Sequence, residues 1–574
     1  MSRYPGSPRR EIPSVALLED DSFFGNKRLQ HNLSSTPGLD KFRPLATGSS
    51  YPYDDLCLSD RQRMLSMQGG ALQPGGHVNL FARENIGLLV NYFAVGVLNG
   101  IFPALVYPLF KVYLNLEGYQ SNAASSLLNF AWYLKFPIGF ISDSFPLNGY
   151  RRKPYIFIGW ISTCIVMLCL VCMPNIEPYK RNGEIVNEDA HSYSPHYVLP
   201  LMVGSIGYLM ADVACDGIMV EYAQRESEAT RGQVQTMVYG ARFMAEVVGT
   251  LIVALGLNGD EYGGTFSHSL PLSVVFGIMF AVGAIALVFT HFNLHEDRVI
   301  GQPLQQQVRS VVRLLQHRAT WQITVYGFLQ FFAFAFDVSP SSTISQVWLK
   351  MDPLSSSLAY CLNSGTYAFA AYAMRTYLLN ANWRVIMVVA VLAGAVIGLP
   401  SVMITVFDVY RNKYFYLAKD LVVGFFDAFA MMVRLVVIVE IAEPGFESST
   451  YSLVTTVYNL AIPVMTTSSN LIGSTFDVYD NDLQDDTANV RWHVAASFFV
   501  MYGLRIGLNL LILPLLPKQK FQARELKLHG SSNKLISVLL FSFFGIVFFA
   551  SMVSNLLSIF ESTSCLKFAG GGGC

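Results

Sequence analysis

Ionisable side chains recur inside stretches that are otherwise apolar, and their spacing is regular. Asp212 and Asp216 are four residues apart, as are Arg242 and Glu246, so on a helix each pair shares one face. Asp420, Asp427 and Arg434 recur every seven residues, a stripe about 21 Å long at ~1.5 Å per helical residue. Lys135, Asp337, Arg375 and Arg505 stand singly in their own stretches, and Asn91 and Asn99 add neutral polar groups to the earliest one. Two carboxylates on one face repel, so one of them can take up a proton and release it when its surroundings change. A buried Arg can hold a carboxylate through parallel N–H bonds. Together these groups suit recognition of a polar solute and relay of a proton. The static alternative is that they pair with one another, for example Asp216 with Arg242 across two helices, or that Glu246, Arg375 and Arg505 serve packing.

The stretches that position them are membrane spans. Hydrophobic residues make up 52% of the 574 and charged residues only 14%, with a mean hydropathy of +0.39. Too few charges remain to cover a soluble protein of this size, which carries about 25%. Apolar runs of the ~20 residues needed to cross a bilayer fall at 86–110, 121–142, 154–173, 197–220, 233–256 and 270–291. After a polar interval they resume at 321–345, 356–378, 384–407, 415–441, 448–472 and 492–516. The expected fold is an all-α membrane protein of two six-helix bundles, 86–291 and 321–516. A thirteenth apolar run at 535–560, within a C-terminal segment 517–574, either spans or packs on the bundle.

Residues 1–85 are rich in Ser, Pro, Gly, Arg and Asp and read as a disordered cytosolic tail. No apolar core follows Met1, so no signal peptide is expected. The linker 292–320 sets Val311, Val312, Leu314 and Leu315 against Arg309, Arg313 and Arg318, the pattern of a basic helix lying on a membrane surface. Lys and Arg are more numerous on the loops that share a side with the N-terminus, which places that side in the cytosol. A multi-pass protein of the plasma membrane is the expectation.

A shift of 219 residues aligns EYAQRESEATRGQVQTMVY (221–239) with EIAEPGFESSTYSLVTTVY (440–458). The match bridges the fourth and fifth spans of each half, as in transporters built from parallel repeats with a site between them. The recurring Glu221, Glu228, Glu440 and Glu447 read as braces or gates. Gly96 and Gly100 form a GxxxG pattern, read as close helix packing.

Between the second and third spans, Gly139, Asp143, Gly149, Arg151, Arg152 and Lys153 resemble the loop signature of the major facilitator superfamily. Ser144 stands where a basic residue is usual. The runs YFAVGVLNGIFPALVYPLFKVYL and NFAWYLKFPIGFISDSFPLNGYRRKPYIFIGW resemble the folate–biopterin transporter family. So do Asp212 to Asp216 followed by Glu221, and Pro444-Gly445-Phe446-Glu447 with Tyr451 and Asn459.

The resemblance covers roughly 86–516. It implies a secondary carrier of folate or pterin (biopterin) working by alternating access, commonly proton-coupled. The same fold could carry another cargo, such as S-adenosylmethionine or an amino acid, or serve a non-transporting receptor. In that superfamily the first, fourth, seventh and tenth spans line the cavity, which nominates Asn91, Asn99, Asp212, Asp216, Asp337, Asp427 and Arg434, joined by Lys135 and Arg242. A carboxylate would accept the paired N–H donors of a pterin edge. Tyr92, Phe93, Trp132, Tyr133 and Phe336 are candidates for stacking. Asp143 with Arg151, Arg152 and Lys153 reads as a conformational latch. The expected partners are a small-molecule substrate, protons and the lipid bilayer. A net charge of −1 offers no footprint for nucleic acid. No phosphate loop, HExxH, GxSxG or metal-ligand spacing is present, so neither enzyme activity, a metal nor another cofactor is expected.

Overall fold

A computed structural model of the chain describes residues 69–563, with gaps within 117–126, 300–303, 339–343, 463–484 and 560–562 and at 175, 182, 183 and 352. The expected tail over 1–68 lies outside the described residues. Residues 69–85, read from sequence as part of that tail, are instead packed. Leu80 is buried, and the Leu72 and Gln73 N–H groups donate to the Gln224 carbonyl at 2.9 and 3.1 Å.

Helices follow the apolar runs in chain order. The first half holds α1 (Ile86–Leu105, continuing as a π-helical stretch Val106–Tyr113), α2 (Lys135–Ser144, entered through a 3-10 turn Phe130–Leu134) and α3 (Lys153–Cys172). It continues with α4 (Ser194–Gln224), α5 (Gln233–Gly256) and α6 (Leu272–Asn293). A hairpin of β1 (Lys180–Arg181) and β2 (Glu184–Ile185) sits between α3 and α4. The linker carries α7 (Leu304–Gln316). The second half holds α8 (Arg318–Ala335), α9 (Pro353–Ala373), α10 (Trp383–Val406), α11 (Lys413–Ile441), α12 (Glu447–Asn459) and α13 (Ala488–Ile512). Two helices follow, α14 (Lys520–His529) and α15 (Lys534–Ile559).

Among the described residues, eight helical segments are long and apolar enough to cross a bilayer. The helices α2, α8, α9 and α12 lie in the other four expected runs and are shorter or more polar. Within the first half α1 packs on α5 and α6, and α3 on α4 and α6. Within the second, α11 packs on α9 and α10, and α8 on α12 and α13. The halves meet where α5 lies along α9 and where α2 and α4 lie along α12.

Small residues set the closest of these contacts. A Cβ on Gly96 would stand 2.3 Å from the Arg242 carbonyl, one on Gly100 2.3 Å from the Glu246 carbonyl, and one on Gly249 2.1 Å from the Val97 carbonyl. The GxxxG pattern therefore fixes α1 against α5 at the two turns that carry Arg242 and Glu246. Gly96→Val is expected to cost about 1–3 kcal/mol through overpacking. A lowered melting temperature of the purified protein checks it, and an unchanged one would contradict the contact.

The linker helix α7 buries Val311 and Leu314 and exposes Arg309 and Arg313. The thirteenth apolar run forms α15, whose Phe544 ring lies 5.1 Å from Phe328 of α8. Both belong to an apolar cluster that also holds Tyr133, Val457 and Leu460. The Ser537 hydroxyl ties α15 to α7 by donating to the Leu315 carbonyl at 2.8 Å.

Candidate functional site

Asp143, Arg152, Gln224, Glu440 and Glu447 gather at one end of the bundle, at or next to the ends of α2, α3, α4, α11 and α12. There the halves are fastened by charge. Buried Arg152, just before α3, bonds Asp143 at the end of α2 and reaches the Glu447 carboxylate of α12 at 3.1 Å. The other Asp143 oxygen accepts from the Ser449 N–H at 2.6 Å and from its hydroxyl, so a carboxylate sits at the N-terminus of α12, where backbone donors are free. Arg151 donates to the Gly445 carbonyl at 3.1 Å. Lys153 takes no part in this latch and instead caps the end of α6 at the His291 and Leu294 carbonyls.

A second inter-half pair joins Arg231, at the start of α5, to Glu440 of α11 at 2.7 Å. Burial pushes the Glu226 carboxyl beside it up to about 7, against the pull of the backbone N–H groups of Gly232, Val234 and Gln233. Chain segments outside the halves add to the closure. Gln73 donates to Glu447 at 2.9 Å. From α14, Lys520 donates to the Glu228 carbonyl and to the Asn380 side chain, each at 2.9 Å, and Lys527 to the Ala442 carbonyl at 2.6 Å.

At the opposite end two arginines of one half share a carboxylate. Arg411 and Arg491 both hold Asp486, and their hydrogen bonds keep that carboxyl well below the usual range.

Deeper in, α4 carries Asp212 and Asp216, about 18 and 12 Å from its latch end at ~1.5 Å per residue. Lys135 bridges them, 2.8 Å from Asp212 and 3.0 Å from Asp216. It can do so because the 3-10 turn ahead of α2 tightens the chain there, so Lys135 opens the α-helix pointing inward. Arg242 of α5 contacts Asp212 at 3.0 Å and lies 3.6 Å from Glu246. The Tyr92 hydroxyl donates to Asp216 at 2.7 Å, and the Asn99 amide to Glu246 at 2.5 Å. Trp132 lies under both cations, 4.9 Å from the Lys135 ammonium and 5.2 Å from the Arg242 guanidinium. Two cations and three carboxylates thus form one buried network, the form in which ionisable groups are tolerated at lipid depth.

This network faces a cavity of about 340 Å³ between the halves, lined by Lys135, Arg242, Glu246 and Asn99 on one wall and by Arg434, Tyr367 and Tyr458 on the other. Tyr360 is shared with a larger cavity of about 680 Å³ that leads away from the latch past Tyr107 and Lys111, both exposed. The passage is therefore shut at the latch end, and among the described residues the larger cavity reaches exposed positions away from it.

Several expected residues fall elsewhere. Asn91 is a structural hub, bonded to Gly87, Thr290 and Trp160. Asp337 lies just beyond α8 and is exposed. Asp427 pairs with Arg505 of α13 and does not line the cavity. Phe93 is 44% exposed on the outer surface. Phe336 joins a separate core cluster, and Tyr133 the cluster with α15. Arg242 pairs with Asp212 and not with Asp216. Glu246, read from sequence as a packing group, lines the cavity; its spacing from Arg242 was the one available signal. Gln330, Tyr360, Asn363, Tyr367 and Tyr458 carried no such signal.

Two bundles of six around a central passage, closed at one end by an inter-half latch, define a membrane transporter of the major facilitator fold. Solved structures bear out the fold. The proton:xylose symporter XylE bound to 6-bromo-6-deoxy-D-glucose is 14% identical, with a TM-score of 0.51 over 78% of this chain and 97% of that one. A double-tryptophan XylE mutant is 13% identical, with a TM-score of 0.52 over 78% and 98%.

The chain belongs to the BT1 family, whose model matches residues 95–404. Among curated relatives, the folate-biopterin transporter of Synechocystis sp. is 25% identical over 394 residues, 66% of this chain and 72% of that one. The probable folate-biopterin transporter 4 of Arabidopsis thaliana is 25% identical over 197 residues, 34% and 35% of the two chains.

Proposed function

We propose that this protein is a proton-coupled secondary carrier of folates or reduced pterins that works by alternating access. The observation that carries the reading is the network of Lys135, Asp212, Asp216, Arg242 and Glu246, set at mid-depth beside a cavity whose latch end is shut. Two relatives named for folate and biopterin support the cargo.

On this reading Glu246 and Asn99 present acceptors to the donor edge of a pterin, and Trp132 and Tyr367 offer rings for stacking. Asp212 and Asp216, set behind Lys135, hold and release the proton. Asp143, Arg151, Arg152 and Glu447 form the latch. The latch end faces the cytosol, as the bias of Lys and Arg requires, and the carrier sits in the plasma membrane.

Purified protein in liposomes, given labelled folate, biopterin and S-adenosylmethionine in parallel, tests the cargo. Uptake of a pterin compound is expected, and uptake of neither would end the proposal. Coupling is a separate measurement. Uptake should rise as the solution at the open end is acidified, because the cluster must be protonated there before it turns. Asp216→Asn, fixed in the neutral form, should flatten that response; a full pH dependence in the variant would remove Asp216 from the coupling site.

A further inference from the structure

Among the described residues every buried arginine but one has a carboxylate partner, and so has Lys135. Lys135 has Asp212 and Asp216, Arg242 has Asp212, Arg152 has Asp143 and Glu447, Arg231 has Glu440 and Arg505 has Asp427. Arg434 of α11 lines the cavity and is only 7% exposed. Its partners among the described residues are the neutral side-chain oxygen of Gln330 and the rings of Phe331 and Tyr458, 4.6 and 5.3 Å from the guanidinium. Its Nε is buried with nothing to donate to, as are the Gln330 Nε2 and, one turn along α8, the Tyr326 hydroxyl.

Every one of these idle groups can donate. An uncompensated buried charge is costly, so a buried guanidinium that lines the cavity without a carboxylate partner is a place for an acceptor on the cargo. The opposite wall differs, because its cations Lys135 and Arg242 are already held by Asp212, Asp216 and Glu246. The cavity is therefore asymmetric, with paired charges and the Glu246 carboxylate on the α2–α5 side and a lone cation on the α11 side.

Resting on the carrier reading above, we infer that Arg434 is an anion subsite that binds a carboxylate of the cargo and so selects folates over pterins that lack a carboxylated tail. A folate would place its donor-bearing ring towards Glu246 and its glutamyl carboxylate on Arg434. Biopterin engages only the first wall.

The test compares wild type, Arg434→Gln and Arg434→Lys as full chains in liposomes. Loss of a charge-assisted contact should cut folate uptake by Arg434→Gln roughly tenfold or more, with biopterin uptake little changed and Arg434→Lys between the two. Equal loss of both cargoes, or undiminished folate uptake, would overturn the subsite. A second measurement holds even if wild type moves neither pterin compound, the result that would defeat the carrier proposal itself. The folate tail alone, p-aminobenzoylglutamate, should raise the melting temperature of wild type and not that of Arg434→Gln. No rise in wild type, or the same rise in both, would refute the anion site.

Discussion

Arg152→Gln is expected to open the latch. The change leaves Asp143 and Glu447 buried without their shared cation, and breaking a buried pair by removing one partner costs about 3–5 kcal/mol. That cost falls on the latch-closed state alone, because only there are the carboxylates brought together across the halves. A carrier whose two states differ by a few kcal/mol would then invert its preference. The readout is a cysteine placed at Ser448, buried beside the latch, in a background freed of native cysteines. A membrane-impermeant maleimide applied at the latch end should label it much faster in Arg152→Gln than in the parent. Substrate uptake should fall with it, since a carrier that cannot close one end cannot hold a gradient. Equal labelling rates would show that the triad does not govern access.

Lys135→Gln should be the most damaging change within the membrane. Lys135 is the single cation that touches both Asp212 and Asp216, and its loss leaves two carboxylates on adjacent turns of α4 with Arg242 reaching only one. An uncompensated buried charge again sets the scale, about 3–5 kcal/mol, enough to erase uptake and to lower the melting temperature markedly. Neutralising the partner should repair it. Lys135→Gln combined with Asp216→Asn removes a charge of each sign and should recover about 0.5–3 kcal/mol of the lost stability as coupling energy, without restoring any pH response of uptake. If the double variant is no more stable than Lys135→Gln alone, the two residues do not act as a pair.

The elements that carry both effects were legible in the sequence to different degrees. Asp212 and Asp216 announce a shared face by spacing alone, and Asp143 and Arg152 by their loop pattern. Glu440 and Glu447 declare themselves as braces through the internal repeat. Their partners were not legible, because Arg231 and Arg152 belong to the other half and are joined to them only by the fold. The second wall of the cavity was least visible. Tyr360, Tyr367, Tyr458 and Asn363 are neutral residues on apolar helices, and neither hydropathy nor charge spacing separates an inward Tyr from one facing lipid. Asn91 shows the reverse, a polar residue flagged by its depth whose bonds to Trp160 and Thr290 are spent on holding α1 to α3 and α6. The tail was read as unstructured to residue 85 on composition, yet Gln73 donates to Glu447 through contacts that composition cannot reveal.

That contact has a kinetic consequence. Gln73 precedes the first bundle in the chain and Lys520 follows the second, and both are bonded at the same closed face. On the proposed carrier cycle, each reorientation must detach these straps as well as part the ion pairs beneath them. The slow stroke of such a cycle is then expected to be the one that unfastens these flanking segments. Anything that grips those segments would then be a brake on turnover without ever touching the cargo.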